Sequence, residues 1–329
     1  MKSQGVRGIL NITPEHLAQL MAAELKPYEL FRNDAHAMDA LRLKAASHLK
    51  DVQHRGTAKA YFKKGICEAF VSTLKYQPLH FDSVLEALNI YVRPDDLAAF
   101  AWLEEQIKML KLDTSLLQIL TLNGLHTSLL PTLNYKGIGI DAVDLIADSN
   151  YSLNQILRQY KSWPTFEEHG LECVPMQLKH VDGIVKIRRR TYRELPEYCW
   201  FGSQESHLCQ YGKRMKTATQ KKHLWWVLLD KENVVGNFGG DVVTDDPIWG
   251  PCANVEVLFA PQYRGKGLMK TAYRIMLEGL VAKKIPLYTG TTAQKPVMKL
   301  GRLTGRQMFR IQLHSRPVFE KQHFQTYLP

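Results

Sequence analysis

Cysteine is scarce in this chain and badly arranged for its structural uses. The five cysteines (Cys67, Cys173, Cys199, Cys209 and Cys252) form an odd set without a Cys-x-x-Cys pair. Neither a disulfide framework nor a thiolate zinc site is implied, and a reducing, cytoplasmic setting is expected. The 12 histidines lack His-x-x-x-His and His-Glu-x-x-His spacing, so no metal is expected. Long apolar stretches are missing too. Residues 1–13 hold only the short apolar piece Ile9-Leu10, too little for the core of a secretory signal. No run approaches the ~20 apolar residues of a membrane-spanning helix, and no membrane partner is expected.

Acidic residues are deficient in one half only. Residues 1–166 carry 18 basic and 17 acidic side chains, whereas residues 167–329 carry 25 and 15. Of the net charge of +11, the second half therefore holds +10, where it would concentrate anions. Hydrophobic residues make up 45% of the 329 positions, enough to supply the cores of two ordinary domains.

The two halves differ in pattern. From Ile12 to about Tyr160 the chain reads as successive amphipathic helices, about seven of them. Thr13 is an N-cap with Pro14 in the first turn and Ile12 stapled to Leu17. Asp34, Thr57, Asp82, Asp95, Asp141 and Ser152 are further cap candidates, and Phe62, Ile66, Phe70 and Leu74 recur at helical spacing. No segment repeats another at a fixed interval. The expectation is an all-α N-terminal domain over residues 1–165. The stretch Ser162 to Gly170, with Pro164, two acids and a glycine, marks the boundary.

Residues 170–329 alternate between strand and helix signals, so the fold class expected for the whole chain is α+β. A helix over Val181 to Arg193 precedes the strand Leu224 to Leu229, a turn over Asp230 to Asn233 and a returning strand over Val234 to Val243. Asn254 to Phe259 is a strand, Leu268 to Lys284 a helix with apolar Leu268, Ala272, Met276 and Leu280, and Ile285 to Thr291 a strand followed by another helix.

Between strand 254–259 and helix 268–284 lies Gln262-Tyr263-Arg264-Gly265-Lys266-Gly267. The first N–H groups of a helix lack internal partners and stand at the positive end of its dipole, so they can bind a phosphate. Two glycines at that point permit close approach and positive φ. A dinucleotide fingerprint would need a third glycine, and a P-loop would end in Gly-Lys-Ser/Thr; neither is present.

Gln262 to Gly267 resembles the Gln/Arg-x-x-Gly-x-Gly/Ala element of the GNAT superfamily of N-acetyltransferases, and the flanking strand and helix agree with that family's order. The likeness covers roughly residues 175–315, a GNAT-like mixed sheet flanked by helices. It implies acetyl-coenzyme A as co-substrate and transfer of an acetyl or other acyl group to an amine on a small molecule or protein. Backbone groups of Arg264, Gly265, Lys266 and Gly267, after Gln262, would hold the pyrophosphate. Leu258, Phe259 and Ala260 would pair with the pantetheine. Bound phosphates account for the basic charge, so no nucleic-acid partner is expected.

Attack on a thioester needs a neutral amine, which a carboxylate can provide by taking its proton. Glu256 is the candidate base, with Asp241 in reserve; Glu256 could equally be a solvated residue or an arginine's partner. The family's usual tyrosine acid has no counterpart in Lys295 to Arg302. Tyr288 is the substitute, set against a plain packing role. Cys252 has no histidine near it in sequence to support an acyl-cysteine relay. The run Lys186 to Arg193 is either a solvated cationic face or part of the acceptor cleft. A second function class stays open: a catalytically weak coenzyme A binding or interaction protein whose helical half is the working surface.

Overall fold

The computed structural model describes residues 5–8, 11–28, 30–77, 84–159, 165–194, 204–220 and 224–315. Apart from short 3-10 turns, the first half runs β1 (Gly5–Gly8), α1 (Pro14–Leu25), α2 (Ala35–Arg55), β2 (Gly56–Lys63), β3 (Ile66–Tyr76), β4 (Leu85–Val92), α3 (Leu97–Met109), β5 (Leu117–Asn123), α4 (Leu130–Tyr135) and β6 (Gly139–Asp148). Helix α5 (Ser149–Gln159) leads into the second half. There follow β7 (Glu172–Pro175), α6 (Val181–Glu194), α7 (Gln204–Gln220), β8 (Leu224–Asp230), β9 (Asn233–Asp246), β10 (Gly250–Phe259), α8 (Leu268–Ala282), β11 (Leu287–Thr292), α9 (Lys295–Leu303) and β12 (Gln307–His314). Each half thus repeats one order: strand, two helices, three strands, helix, strand, helix, strand.

The pairing repeats as well. β1 to β4 are antiparallel neighbours and β4 runs parallel to β5, just as β7 to β10 are antiparallel neighbours and β10 runs parallel to β11. The halves then exchange their last strands. β12 lies between β5 and β6, and β6 lies between β12 and β11, all antiparallel. One sheet results, ordered β1-β2-β3-β4-β5-β12-β6-β11-β10-β9-β8-β7. The expected boundary near Ser162 to Gly170 falls in chain order between α5 and β7, its residues 162–164 being outside the described residues.

The helical reading of the first half holds for α1 to α5, and α1 and α2 start at the expected caps. Thr13 accepts from His16 N in a capping box, and Asp34 accepts from Ala37 N. Elsewhere it is corrected, because β2 to β6 are strands. A spacing of four is even, so Phe62, Ile66, Phe70 and Leu74 satisfy a strand's period of two as well as a helix's 3.6. What decides between them is the turn Lys64-Gly65. Both residues have positive φ (52° and 83°), the geometry of a two-residue hairpin loop. Of the other cap candidates, Thr57 and Asp141 lie in strands, Asp95 stands one residue before the true cap Asp96, Ser152 lies inside α5, and Asp82 is outside the described residues.

In the second half the expected elements form within a few residues of their predicted bounds, while β7, α7 and β12 were not foreseen. Helix α8 buries Leu268, Ala272, Met276 and Leu280 against one face of the sheet, where Ile156 of α5 joins them. Ile184 of α6 and Met215 of α7 cover the other face over Trp225 and Val227. Trp225 and Trp226 point to opposite faces as strand alternation requires, and Trp226 stacks on Phe238 with ring centroids 5.6 Å apart.

β12 is the joint between the halves, and its Ile311 is fully buried. Ile311→Ala should cost about 2–5 kcal/mol, the usual range for an aliphatic core side chain cut to alanine. Denaturant unfolding should stay a single transition shifted as a whole, because both halves share this strand. Two separated transitions would show that the halves fold independently.

Candidate functional site

The phosphate-cradling turn forms where expected. After β10, a 3-10 turn (Pro261–Tyr263) leads into Arg264-Gly265-Lys266-Gly267, with φ +76° at Gly265 and +80° at Gly267, the N-cap of α8. No side chain caps this helix. The N–H groups of Gly265 to Met269 find no acceptor among the described residues, so they remain available to an anion. Arg264 is anchored beside them: its Nε donates to Phe259 O (3.0 Å) and its Nη2 to Thr191 Oγ1 (3.0 Å). The Lys266 ammonium lies 5.0 Å from the Tyr263 ring centroid.

The equivalent helix of the first half is closed to such a ligand. The Asp96 carboxylate accepts from Ala98 N (2.9 Å) and Ala99 N (3.1 Å), and Lys63 pairs with it at 2.9 Å. A fixed negative charge already occupies the place of the phosphate.

Next to the open turn the sheet splits. β10 pairs with β11 only at Cys252 to Asn254, opposite Leu287 to Thr289, although β10 stays paired with β9 through Phe259. From Val255 onward the two parallel strands diverge, leaving a cleft of about 720 Å³ lined by residues 254–259 of β10, residues 290–292 of β11, the glycine turn and α9. It is therefore walled partly by backbone whose hydrogen-bonding groups face no neighbouring strand.

Glu256 lines the cleft within an ion-pair cluster. Its Oε1 lies 2.6 Å from Arg188 Nη2 and accepts from the Tyr211 hydroxyl (2.9 Å), and its Oε2 lies 3.3 Å from Arg214 Nη1. Arg214 also pairs with Asp241 (2.6 Å), whose other oxygen accepts from Trp225 Nε1 (3.0 Å). The arginines place Glu256 and take some of its lone pairs. The Arg188 guanidinium stacks 4.4 Å from the Tyr211 ring centroid. Burial first, and then the Glu256 charge, push the Tyr211 phenol up, so it stays protonated and donates.

Tyr288, proposed as the acid, has no exposed surface and does not line the cleft. Its hydroxyl donates to Ser152 Oγ (3.0 Å), and burial raises its pKa. It is a core residue. Cys252 is buried, and desolvation, with the Asp246 charge second, pushes its thiol up to about 11, so it stays a thiol at neutral pH.

Of the residues expected from sequence, Glu256, Leu258, Phe259, Arg264, Gly265 and Gly267 meet in the cleft wall, whereas Ala260, Gln262, Lys266 and Tyr288 stand outside it. Sequence reasoning missed Arg214, Tyr273 and Arg306. Arg188 and Thr191 come from the cationic run Lys186 to Arg193, which the folding of α6 divides between cleft and solvent. For Arg214 and Arg306 no local signal exists, because their role depends on what the fold brings beside them.

No protein-family profile matches the sequence, and no curated protein matches it. Solved structures do resemble it. A GCN5-related N-acetyltransferase from Sphaerobacter thermophilus aligns over 96% of this chain and 97% of its own, at 14% identity and a TM-score of 0.53. A GNAT-family acetyltransferase from Colwellia psychrerythraea aligns over 94% and 98%, at 11% identity and a TM-score of 0.47. A tandem GNAT protein from the clavulanic acid biosynthesis pathway aligns over 96% and 100%, at 9% identity and a TM-score of 0.46. The mixed sheet, its split beside a glycine turn and the first of these alignments agree: the chain has the GNAT fold.

Proposed function

We propose that the protein is an N-acyltransferase that uses an acyl-coenzyme A, acetyl-coenzyme A being the donor implied by the family likeness, and acylates an amine by direct attack. The observation that carries this is the uncapped N-terminus of α8, with two positive-φ glycines, opening onto a cleft between diverging strands. The pyrophosphate would rest on the N–H groups of Gly265 to Met269, and the pantetheine amides would take the strand partners that residues 255–259 of β10 lack on the cleft side. No helix of the described residues is long and apolar enough to cross a membrane.

Chemically, the amine nitrogen attacks the thioester carbonyl, the C–S bond breaks, and the proton shed by the amine passes to Glu256, directly or through water. Arg188, Arg214 and Tyr211 keep that carboxylate aimed into the cleft. The thiol of coenzyme A is acidic enough to leave as thiolate and recover a proton afterwards.

The binding half of this reading is tested at Gly265. A Cβ built there meets nothing within 4 Å, yet φ is +76°. Gly265→Trp should therefore keep the core intact while blocking the approach of a phosphate. Coenzyme A at millimolar concentration should raise the melting temperature of the full-length protein and fail to raise that of the variant. An equal shift in both would make the turn an ordinary loop.

The chemical half is tested at Glu256. Glu256→Gln should bind coenzyme A nearly as the wild type does but turn over about 10²-fold more slowly or worse at pH 7. The deficit should narrow as pH rises, because an alkyl amine near pKa 10.4 is increasingly neutral without help. A deficit of the same size at every pH would make the carboxylate an anchor for Arg188 and Arg214 instead of a base.

A further inference from the structure

At the closed end of the cleft sits a positive charge that no carboxylate among the described residues pairs with. Arg306, in the turn between α9 and β12, is 5% exposed and lines the cleft. Among the described residues it forms no ion pair. Its contacts are neutral: Nη1 donates to the Tyr273 hydroxyl (2.9 Å), and Nη2 makes long bonds to Gly290 O (3.3 Å) and Leu145 O (3.4 Å). The ring centroids of Tyr288 and Tyr273 lie 5.1 and 6.0 Å from its central carbon. Its Nε is buried and has no hydrogen-bond partner.

A buried guanidinium without a carboxylate is costly to maintain, and a ligand anion would relieve that cost. Arg306 is also placed where the end of an acyl chain would lie. A Cβ on Gly290 would meet Arg306 Nη2 at 2.7 Å and Val255 O at 3.1 Å. The guanidinium therefore stands where β10 and β11 part, just past their last paired residues, Asn254 and Thr289. Val255 is four residues up β10 from Phe259, about 13 Å at a strand's rise per residue. The phosphate turn marks one end of the cleft and Arg306 the other. Glu256, on the opposite face of β10 from Val255, stays with Arg188 and Arg214 on the α6 and α7 side. The acceptor's side and the acyl end are thus separate.

We propose that the cleft takes an acyl-coenzyme A whose acyl group ends in a carboxylate, a dicarboxylic monothioester, with Arg306 pairing to that carboxylate and Tyr273 orienting the guanidinium. The inference rests on the coenzyme A reading above and names its acyl class. In the transfer the amine–carbonyl C–N bond forms, the C–S bond breaks, the amine proton ends on coenzyme A by way of the base, and the distal carboxylate is unchanged.

The test is calorimetric binding of free, acetyl-, malonyl- and succinyl-coenzyme A to the full-length protein. Malonyl- or succinyl-coenzyme A should bind at least 10-fold more tightly than acetyl-coenzyme A, and in Arg306→Gln that ratio should fall to about 1. Equal or tighter binding of acetyl-coenzyme A by the wild type overturns the proposal, with no variant needed. So does a ratio unchanged in folded Arg306→Gln. If free coenzyme A and all three thioesters fail to bind, the coenzyme A reading itself falls, which separates that failure from the other two. Should Arg306→Gln not fold, Arg306→Lys keeps the charge on a shorter reach and should retain a preference weaker than the wild type's but above 1; a full wild-type ratio there would also count against Arg306.

Discussion

The reciprocal exchange of β6 and β12 is the constraint on which the rest of the molecule depends. β11 keeps a six-residue register with β6, from Leu287 opposite Asp148 to Thr292 opposite Val143, but only a three-residue register with β10. The first half therefore holds β11 in place along its length while β10 turns away to follow β9. The cleft exists because one wall is tied to each half. The same exchange leaves no free edge in the middle of the sheet, since among the described strands all but the outermost two, β1 and β7, have two neighbours.

A repeated architecture has produced two unlike sites. In the first half the helix after the fourth strand begins at Asp96, whose carboxylate occupies two of its N–H groups. In the second half the matching helix begins at Gly267, which brings no side chain and leaves those groups open. A single position per half, acid or glycine, separates a helix that neutralises its own dipole from one that offers it to a ligand. The repeated order of elements carries over from half to half, but the anion site does not.

Charge in the second half is also divided by the fold. The arginines of α6 and α7 are matched by Glu256 and Asp241, forming a polar cluster over one face of β10. Arg264 is held beside the open turn, where its charge adds to that of the helix terminus. Arg306, on the other face, is surrounded by carbonyls, a phenol and two rings. The basic excess is thus not a uniform field. Part of it is matched by the protein's own carboxylates, Glu194 lying 3.5 Å from Arg264 among them, whereas Arg306 pairs with none among the described residues.

The glycine turn, the strand before it and the helix after it are legible in the chain because each depends on local chemistry: positive φ at Gly265 and Gly267, the apolar run around Glu256 in β10 and the stripe Leu268, Ala272, Met276, Leu280. So are α1 and α2, through their caps at Thr13 and Asp34. That Phe62 and Phe70 lie in strands follows from long-range packing, since their even spacing suits either period and β3, buried along both faces, lacks the polar alternation that would mark a strand. The tertiary structure alone decided that β12 leaves its own half, because strand exchange is a long-range pairing with no signature in either segment. The fate of the titratable groups was settled the same way. Glu256 meets two arginines and Tyr288 sinks into the core, for desolvation and charge pairing depend on neighbours that are distant in the chain.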